Sequence, residues 1–285
     1  MMIKIKTPAT TANLGPGFDC LGMALDLYNT FYFEEALEFS FTGVRDYFKK
    51  VENNLLAKAY IAAFDYKKEK IKPVHVSFSC EVPESRGLGS SATCIIGGLL
   101  GANHFLKNKM TTNEILALAT KIEGHPDNVA PCLLGGLVAS FMDDGVNYVK
   151  YNPADSIVIT ALIPDFPLKT EASRKVLPKE ISLGDCVYNI SRSVNIPYAF
   201  EHGDLELLEK CLHDKIHQPY RFPIIDDSLI FLDYARENKL PFVISGAGPT
   251  LLLLSKEKPI IKVKTKHNWQ YLNLKVCKEG SVSYE

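Results

Sequence analysis

The segment that most restricts how this chain can fold runs from Val74 to Phe105. Val74, Val76, Phe78, Cys80 and Val82 alternate with other residues, the period of a half-buried β-strand. Pro83-Glu84-Ser85-Arg86-Gly87-Leu88-Gly89-Ser90-Ser91-Ala92-Thr93 follows, and an apolar helix is predicted from about Ser91 to Phe105. Gly87 and Gly89 admit positive φ, which lets neighbouring N–H groups converge on one point. The free amides and the dipole at a helix start favour an anion there. Serine hydroxyls add donors to phosphate or ligands to Mg²⁺. A plain glycine turn with a serine cap has the same composition, so the loop does not decide alone.

Two familiar phosphate loops fit poorly. A Walker A loop needs Gly-Lys followed by Ser or Thr, and this loop holds no lysine. Gly87-x-Gly89-x-x-Ala92 matches the dinucleotide fingerprint, but that unit also needs a second strand ending in an acid roughly 20 residues on. Here the helix leads through Lys107 to Met110 into another helix.

Three more motifs stand out. Pro8-Ala9-Thr10-Thr11-Ala12-Asn13-Leu14-Gly15-Pro16-Gly17-Phe18-Asp19 contains a Gly-Pro-Gly bend able to aim Asn13 and Asp19 into a pocket. Glu123-Gly124-His125-Pro126-Asp127-Asn128-Val129-Ala130-Pro131 carries more polar side chains than a connection needs, and His125 beside Asp127 and Asn128 suits substrate contact. Ser245-Gly246-Ala247-Gly248-Pro249-Thr250 sits between two apolar strands, where glycines permit close backbone approach to a neighbouring loop or ligand.

Strands are predicted at Met2 to Lys6, within Asp26 to Phe41, at Val74 to Val82, Leu133 to Phe141, Ser156 to Leu162, Pro241 to Ser245, Thr250 to Ser255 and Leu272 to Val276. Helices are predicted at Asn53 to Tyr66, Ser91 to Phe105, Thr112 to Glu123 (capped by Thr111 or Thr112), Cys186 to Glu201, Asp204 to Cys211 and Ser228 to Glu237. Without a regular βα period the class is α+β or mixed α/β. The polar stretch Asp143 to Asp155 is the predicted boundary between residues 1–150 and 151–285.

Composition narrows the partners. With 32 basic and 33 acidic residues among 285, the net charge of -1 does not suggest nucleic acid. Lys256 to Lys266, the most basic stretch, reads as a solvated face. The seven cysteines form no Cys-x-x-Cys pair, which argues for free thiols in a reducing compartment and against a zinc site. The N-terminus lacks a signal-type apolar region, and no apolar run approaches the about 18 residues of a membrane span. A cytoplasmic protein is expected, with no membrane partner, and a homodimer is left open.

Together the four motifs, in this order from Pro8 to about Thr250, resemble the GHMP kinases, and among them the homoserine-phosphorylating branch. Gly87-Leu88-Gly89-Ser90-Ser91-Ala92 is similar to that family's phosphate loop. The resemblance implies an N-terminal domain like ribosomal protein S5 domain 2 and a ferredoxin-like C-terminal domain, with ATP and substrate between them. It implies ATP and Mg²⁺ as cofactors and L-homoserine as substrate. Pro83 to Thr93 would hold the triphosphate, and Ser91 and Glu123 the metal. A substrate ammonium needs a carboxylate, Asp127 or Asp19, while a substrate carboxylate suits a guanidinium. Arg174, in Glu171-Ala172-Ser173-Arg174, and Arg221, in His217-Gln218-Pro219-Tyr220-Arg221, resemble the family's substrate arginines. Asn13 would orient the hydroxyl, with His125 and Asn128 close by, so that Asn13, Asp127 and Arg174 are the expected catalytic group. No general base is assigned; Asp19 and Asp127 are the fallbacks. Asn53 or Asn54 is placed near the ATP base.

Overall fold

Several strands of this chain are apolar on both faces, which demands cover on two sides. The computed structural model describes residues 2–284. Its first half runs β1 (Met2–Ala12), β2 (Leu21–Glu35), β3 (Ser40–Thr42), α1 (Leu55–Lys67), β4 (Val74–Cys80), α2 (Ser90–Phe105), α3 (Thr112–Glu123), α4 (Pro126–Leu134), β5 (Leu137–Asp143) and β6 (Gly145–Tyr151). The second runs β7 (Val158–Pro164), α5 (Thr170–Lys175), α6 (Leu183–Ser193), α7 (Ile196–His202), α8 (Leu205–Cys211), α9 (Gln218–Arg221), α10 (Ser228–Glu237), β8 (Phe242–Ile244), β9 (Leu251–Ser255), β10 (Trp269–Leu274) and β11 (Val282–Tyr284).

The first sheet has the order β11-β1-β2-β4-β3, with β5 added to β2 and β6 to β5; the second has the order β10-β7-β9-β8. The first sheet turns Ile3, Ile5, Phe31, Phe33 and Val76 against Leu56, Tyr60 and Phe64 of α1, Ile95 and Leu99 of α2, Leu116 of α3 and Val129 of α4. Fully burying such a side chain contributes about 1.5–3 kcal/mol. A second core joins the sheets: Met23 and Leu25 of β2 meet Ile159 and Ala161 of β7, Phe200 of α7 and Leu252 and Leu254 of β9. The alternate residues Leu162, Leu251 and Leu253 face the other way, onto Phe231 of α10. That explains the unbroken leucine run in β9, since both of its faces are buried. The architecture is of the α+β class expected, built on two sheets.

Several elements differ from the pattern reading. Residues 126–134 form α4 instead of a connection, because Pro126 occupies the first helical position, where its missing N–H costs nothing. The stretch after Asp143 pairs with β5 as β6. Gly145 supplies the turn, and Val146 and Tyr148 pack on the first core. Cys186 to Glu201 is broken into α6 and α7 next to Pro197, whose ring blocks a continuous helix. The one or two strands expected within Asp26 to Phe41 are two, β2, which starts earlier at Leu21, and the short β3. α5 and β11 carry no sequence signal strong enough to have been found. Thr111 caps α3 in a reciprocal pair with Glu114.

Candidate active site

The start of α2 is left open. Its cap, Gly89, sits at φ 68° and offers no side chain, so the first-turn amides of Ser90, Ser91 and Ala92 have no capping group. A Cβ on Gly89 would lie 1.9 Å from Thr10 Oγ1, and one on Gly87 (φ 74°) 2.3 Å from the Ser245 carbonyl oxygen. The loop is braced from behind by the second sheet. Arg86 donates from Nε to the Pro164 carbonyl (3.0 Å) and from Nη2 to that of Asp165 (2.9 Å). Ser245 Oγ donates to the Gly87 carbonyl at 2.6 Å. Gly87→Ala should therefore cost about 2 kcal/mol or more through the clash and the left-handed φ. A lowered Tm together with weaker binding of a polyphosphate anion is the expected result; an unchanged pair would show that the loop relaxes freely.

In front of this helix start lies a cleft of about 170 Å³ between the two sheets. Asn13, Asp19, Ser91, Glu123, His125, Asp127, Asn128, Arg174 and Arg221 all line it, with Ser85, Arg86, Gly87, Gly89 and Ser90 of the loop. Asn13 sits at φ 70° and ties two loops together: Nδ2 donates to the Gly246 carbonyl (2.8 Å) and Oδ1 accepts from Asp19 N–H (3.0 Å). Arg174 grips Asp19 through both oxygens, at 2.7 and 3.1 Å.

Arg221 is buried and, among the described residues, forms no ion pair. It donates to the carbonyls of Gly246 (3.0 Å) and Ser173 (3.4 Å) and to His217 Nδ1 (3.2 Å). Burial pulls the His217 pKa down to about 4, so the ring is neutral, accepting at Nδ1 and donating from Nε2 to the Gly15 carbonyl at 2.8 Å. Burial, with Arg174 nearby, likewise lowers the Arg221 pKa to about 10. The Phe18 ring lies 5.5 Å from the Arg174 guanidinium and 5.3 Å from that of Arg221, giving both cations a π-face. A buried cation without a counter-charge is expensive, and an anion entering the cleft would relieve it.

The acidic wall is complementary. Ser91 Oγ donates to Glu123 Oε1 at 2.5 Å. Burial raises the Glu123 pKa against the opposing pull of Ser91 and His125. Asp127, buried at the start of α4, bonds His125 Nδ1 through Oδ1. Among the described residues its other oxygen accepts no hydrogen bond. Burial alone would lower the His125 pKa, but Asp127, with Asp19 and Glu123, outweighs it and the net shift is upward. Asp19, His125 and Asp127 lie close enough to share a cation, yet Asp19 is engaged by Arg174 and Asp127 by His125. Ser91 and Glu123 offer another pair of oxygen atoms of the kind a hard divalent ion takes.

The N-terminal domain model of the GHMP kinases matches residues 47–136, and their C-terminal model residues 198–268. A homoserine kinase of Clostridium beijerinckii is 46% identical over 261 residues, covering 90% of this chain and 87% of the relative. One from Clostridium botulinum is 40% identical over 292 residues, covering 99% and 98%. The chain belongs to the homoserine kinase family. A crystal structure of homoserine kinase from Cytophaga hutchinsonii superposes with a TM-score of 0.87 at 24% identity, covering 99% of this chain and 97% of the other, and so shares the fold.

For this member of the homoserine kinase family, the structure separates the loop residues by direction. Ser85, Ser90 and Ser91 face both the cleft and an adjoining groove, which Glu84 also lines while pairing with Arg45. Pro83 borders a different surface groove beside Ile163 and Trp269. The side chains of Leu88, Ala92 and Thr93 are buried, Thr93 Oγ1 accepting from Asn29 Nδ2 at 2.8 Å. Of the two asparagines expected near the ATP base, Asn54 lines the groove while capping α1, and Asn53 is not among the lining residues. Phe18, His217 and Gly246 stand inside motifs read from the sequence but were given no role of their own there, nor was Thr170. His217 directly precedes the short helix α9 that carries Arg221.

Proposed function

We propose that this chain transfers the γ-phosphate of ATP to the side-chain hydroxyl of L-homoserine, giving O-phospho-L-homoserine for threonine biosynthesis. The observation that carries the reading is a single cleft with the uncapped start of α2 on one side and the unpaired Arg221 beside Arg174 and Asp19 on the other. Such a cleft offers a polyphosphate site and a zwitterion site facing each other. Residues 1–150 supply the first and residues 151–285 both arginines, and we keep that division as part of the proposal. The free, scattered cysteines fit a cytoplasmic setting.

Phosphoryl transfer depends on positioning and charge neutralisation more than on covalent chemistry. The first-turn amides of α2 receive the phosphates, and the neighbouring groove of about 330 Å³, walled by Val44, Phe48, Leu55 and Phe78, takes the base. Ser91 and Glu123 would hold Mg²⁺, which would supply Lewis-acid neutralisation of the phosphate oxygens. The substrate carboxylate goes to Arg221 and Arg174, its ammonium to Asp19 as the Arg174–Asp19 pair exchanges partners. That pair is partly exposed, so opening it costs little. Asp127, held by His125, orients the hydroxyl, and Asn128 and Asn13 keep the walls in register, Asn128 by accepting from Thr10 Oγ1 at 2.8 Å. The hydroxyl attacks the γ-phosphorus directly as its bond to ADP breaks, and the hydroxyl proton passes to the transferred phosphoryl group, without a dedicated base.

The test is a panel of homoserine, serine, threonine, mevalonate and galactose with Mg-ATP, monitored by ADP release. Homoserine should give the highest kcat/KM; faster turnover of mevalonate or galactose would end the proposal. A pH effect accompanies it. Glu123 binds a cation only after losing its proton, and its pKa is raised. The Mg²⁺ concentration for half-maximal rate should therefore climb as pH falls through that raised pKa, approaching about tenfold per pH unit below it. Glu123→Gln, with no proton to lose, should flatten the slope and lower kcat about 10²-fold. An unaltered slope in the variant would remove Glu123 from the metal site.

A further inference from the structure

A buried arginine is usually met by a carboxylate. Among the described residues Arg221 is held by neutral atoms alone. Nη1 donates to the Gly246 carbonyl at 3.0 Å and to His217 Nδ1 at 3.2 Å, and Nε to the Ser173 carbonyl at 3.4 Å. Nη2 makes no hydrogen bond to a described residue, and Arg221 lines the cleft. Three neutral acceptors thus fix the plane of the fork and leave its charge uncompensated. A carboxylate in the place of His217 would hold the fork equally well, but it would neutralise the charge that an incoming anion needs.

His217 supplies the one side-chain acceptor and is itself fully buried. Its Nε2 lies 2.8 Å from the Gly15 carbonyl and 3.6 Å from Asp214 Oδ2, so the ring proton belongs there and the Nδ1 lone pair faces Arg221. The Asp214 carboxylate is spent elsewhere. Oδ1 accepts from Asn189 Nδ2 at 2.6 Å and from Ile216 N–H at 2.9 Å, and Oδ2 from the N–H groups of His217 and Gln218 at 2.8 and 2.6 Å. Those bonds fix the backbone entering α9, and with it the imidazole. On the other side, Gly15 opens the bend that presents Phe18 and Asp19, and the Phe18 ring lies 5.3 Å from the imidazole. We propose, resting on the homoserine reading of this cleft, that His217 is a positioning residue for the substrate carboxylate. Its Nδ1 sets which edge of the Arg221 fork meets the cleft, and its Nε2–H ties that arginine to the loop carrying Asp19. An amino acid holds its two charges a fixed distance apart, so the tie also sets the charge spacing that the cleft accepts.

Kinetics with homoserine and with homoserinamide, which keeps the hydroxyl and the ammonium but carries a neutral amide for the carboxylate, test this. His217→Leu fills the site without an acceptor. It should lower kcat/KM for homoserine about 10–100-fold, the worth of a hydrogen bond to a charged group, and do so through KM. The loss for homoserinamide should stay within about threefold. Asparagine can set its oxygen near the place of Nδ1, and glutamine its amide nitrogen near that of Nε2. His217→Asn should therefore recover most of the homoserine KM, whereas His217→Gln should recover Tm without it. That pair reads the same point if the leucine variant does not fold. Equal losses for the two substrates, or a glutamine variant that binds homoserine as well as the asparagine one, overturn the proposal. If the wild-type protein turns over neither substrate, the homoserine reading falls and NMR reads His217 by itself. The ring nitrogen shifts should place the proton on Nε2, and Arg221→Met should move the Nδ1 resonance. A proton on Nδ1, or an Nδ1 resonance indifferent to Arg221→Met, would end the assignment of His217 to Arg221.

Discussion

Arg221→Met should lower kcat/KM for homoserine by about 10²–10³-fold and leave the KM for ATP within about threefold, because truncating a buried charge that pairs with substrate costs about 2–5 kcal/mol. The guanidinium reaches the cleft without a carboxylate of its own, its donors otherwise spent on the Gly246 and Ser173 carbonyls and on His217. Methionine fills a similar volume but brings neither charge nor donors. It also strands those carbonyls, at about 1–3 kcal/mol if they stay dry, so Tm should fall as well. Arg221→Lys separates the two effects. It keeps the charge and loses the planar fork, and should recover part of the affinity but not the whole. Steady-state kinetics with each substrate varied decides the matter: an equal loss for ATP and homoserine would mean a collapsed cleft, and no loss would remove Arg221 from the anion site.

Asp127→Asn is the second large effect. Asp127 is buried at the start of α4, with one oxygen bonded to His125 and the other directed to no described partner. If it positions the hydroxyl, KM for homoserine should rise about tenfold while kcat falls, for a total of about 10³ in kcat/KM. A kcat collapse of about 10²–10⁴ with KM unchanged would instead make Asp127 a general base. The variant has a signature a merely structural role would not produce. Asp127 contributes most of what holds the His125 pKa up against burial, so removing its charge should move the His125 titration to lower pH. NMR titration of the imidazole reads this directly; an unmoved titration would show that the pair seen here does not govern that ring.

The glycine-serine loop and the open helix start behind it were legible because their requirements are local. Alternation up to Val82, two glycines and a run of hydroxyls specify a strand, a turn and an open helix start within a few residues, and α2 begins within one position of the expected place. The capping box of α3 was readable for the same reason. α4 was not, since its two prolines mimic a loop, and only its packing against β1, β2 and β5 makes a helix of it. The break between α6 and α7 was missed because apolar spacing continues across it.

Taken alone, the amino-acid order determined the class of the fold, the glycine-serine loop before α2 and the identity of the acidic and basic groups, all of which follow from neighbours along the chain. Tertiary structure decided what those groups face. Arg174 and Asp19 stand 155 positions apart yet form one bidentate pair. Arg221 becomes a candidate anion site only because folding buries it without a carboxylate, and His217 becomes its support only through Gly15, 202 positions away. The exposed apolar side of α6, formed by Leu183, Val187 and Ile190, belongs to the same kind. Its hydrophobic period was visible in the sequence, but the direction of that period was set by Asp214 and Lys215, whose bonds to Asn189 and Asp185 turn the polar side inward.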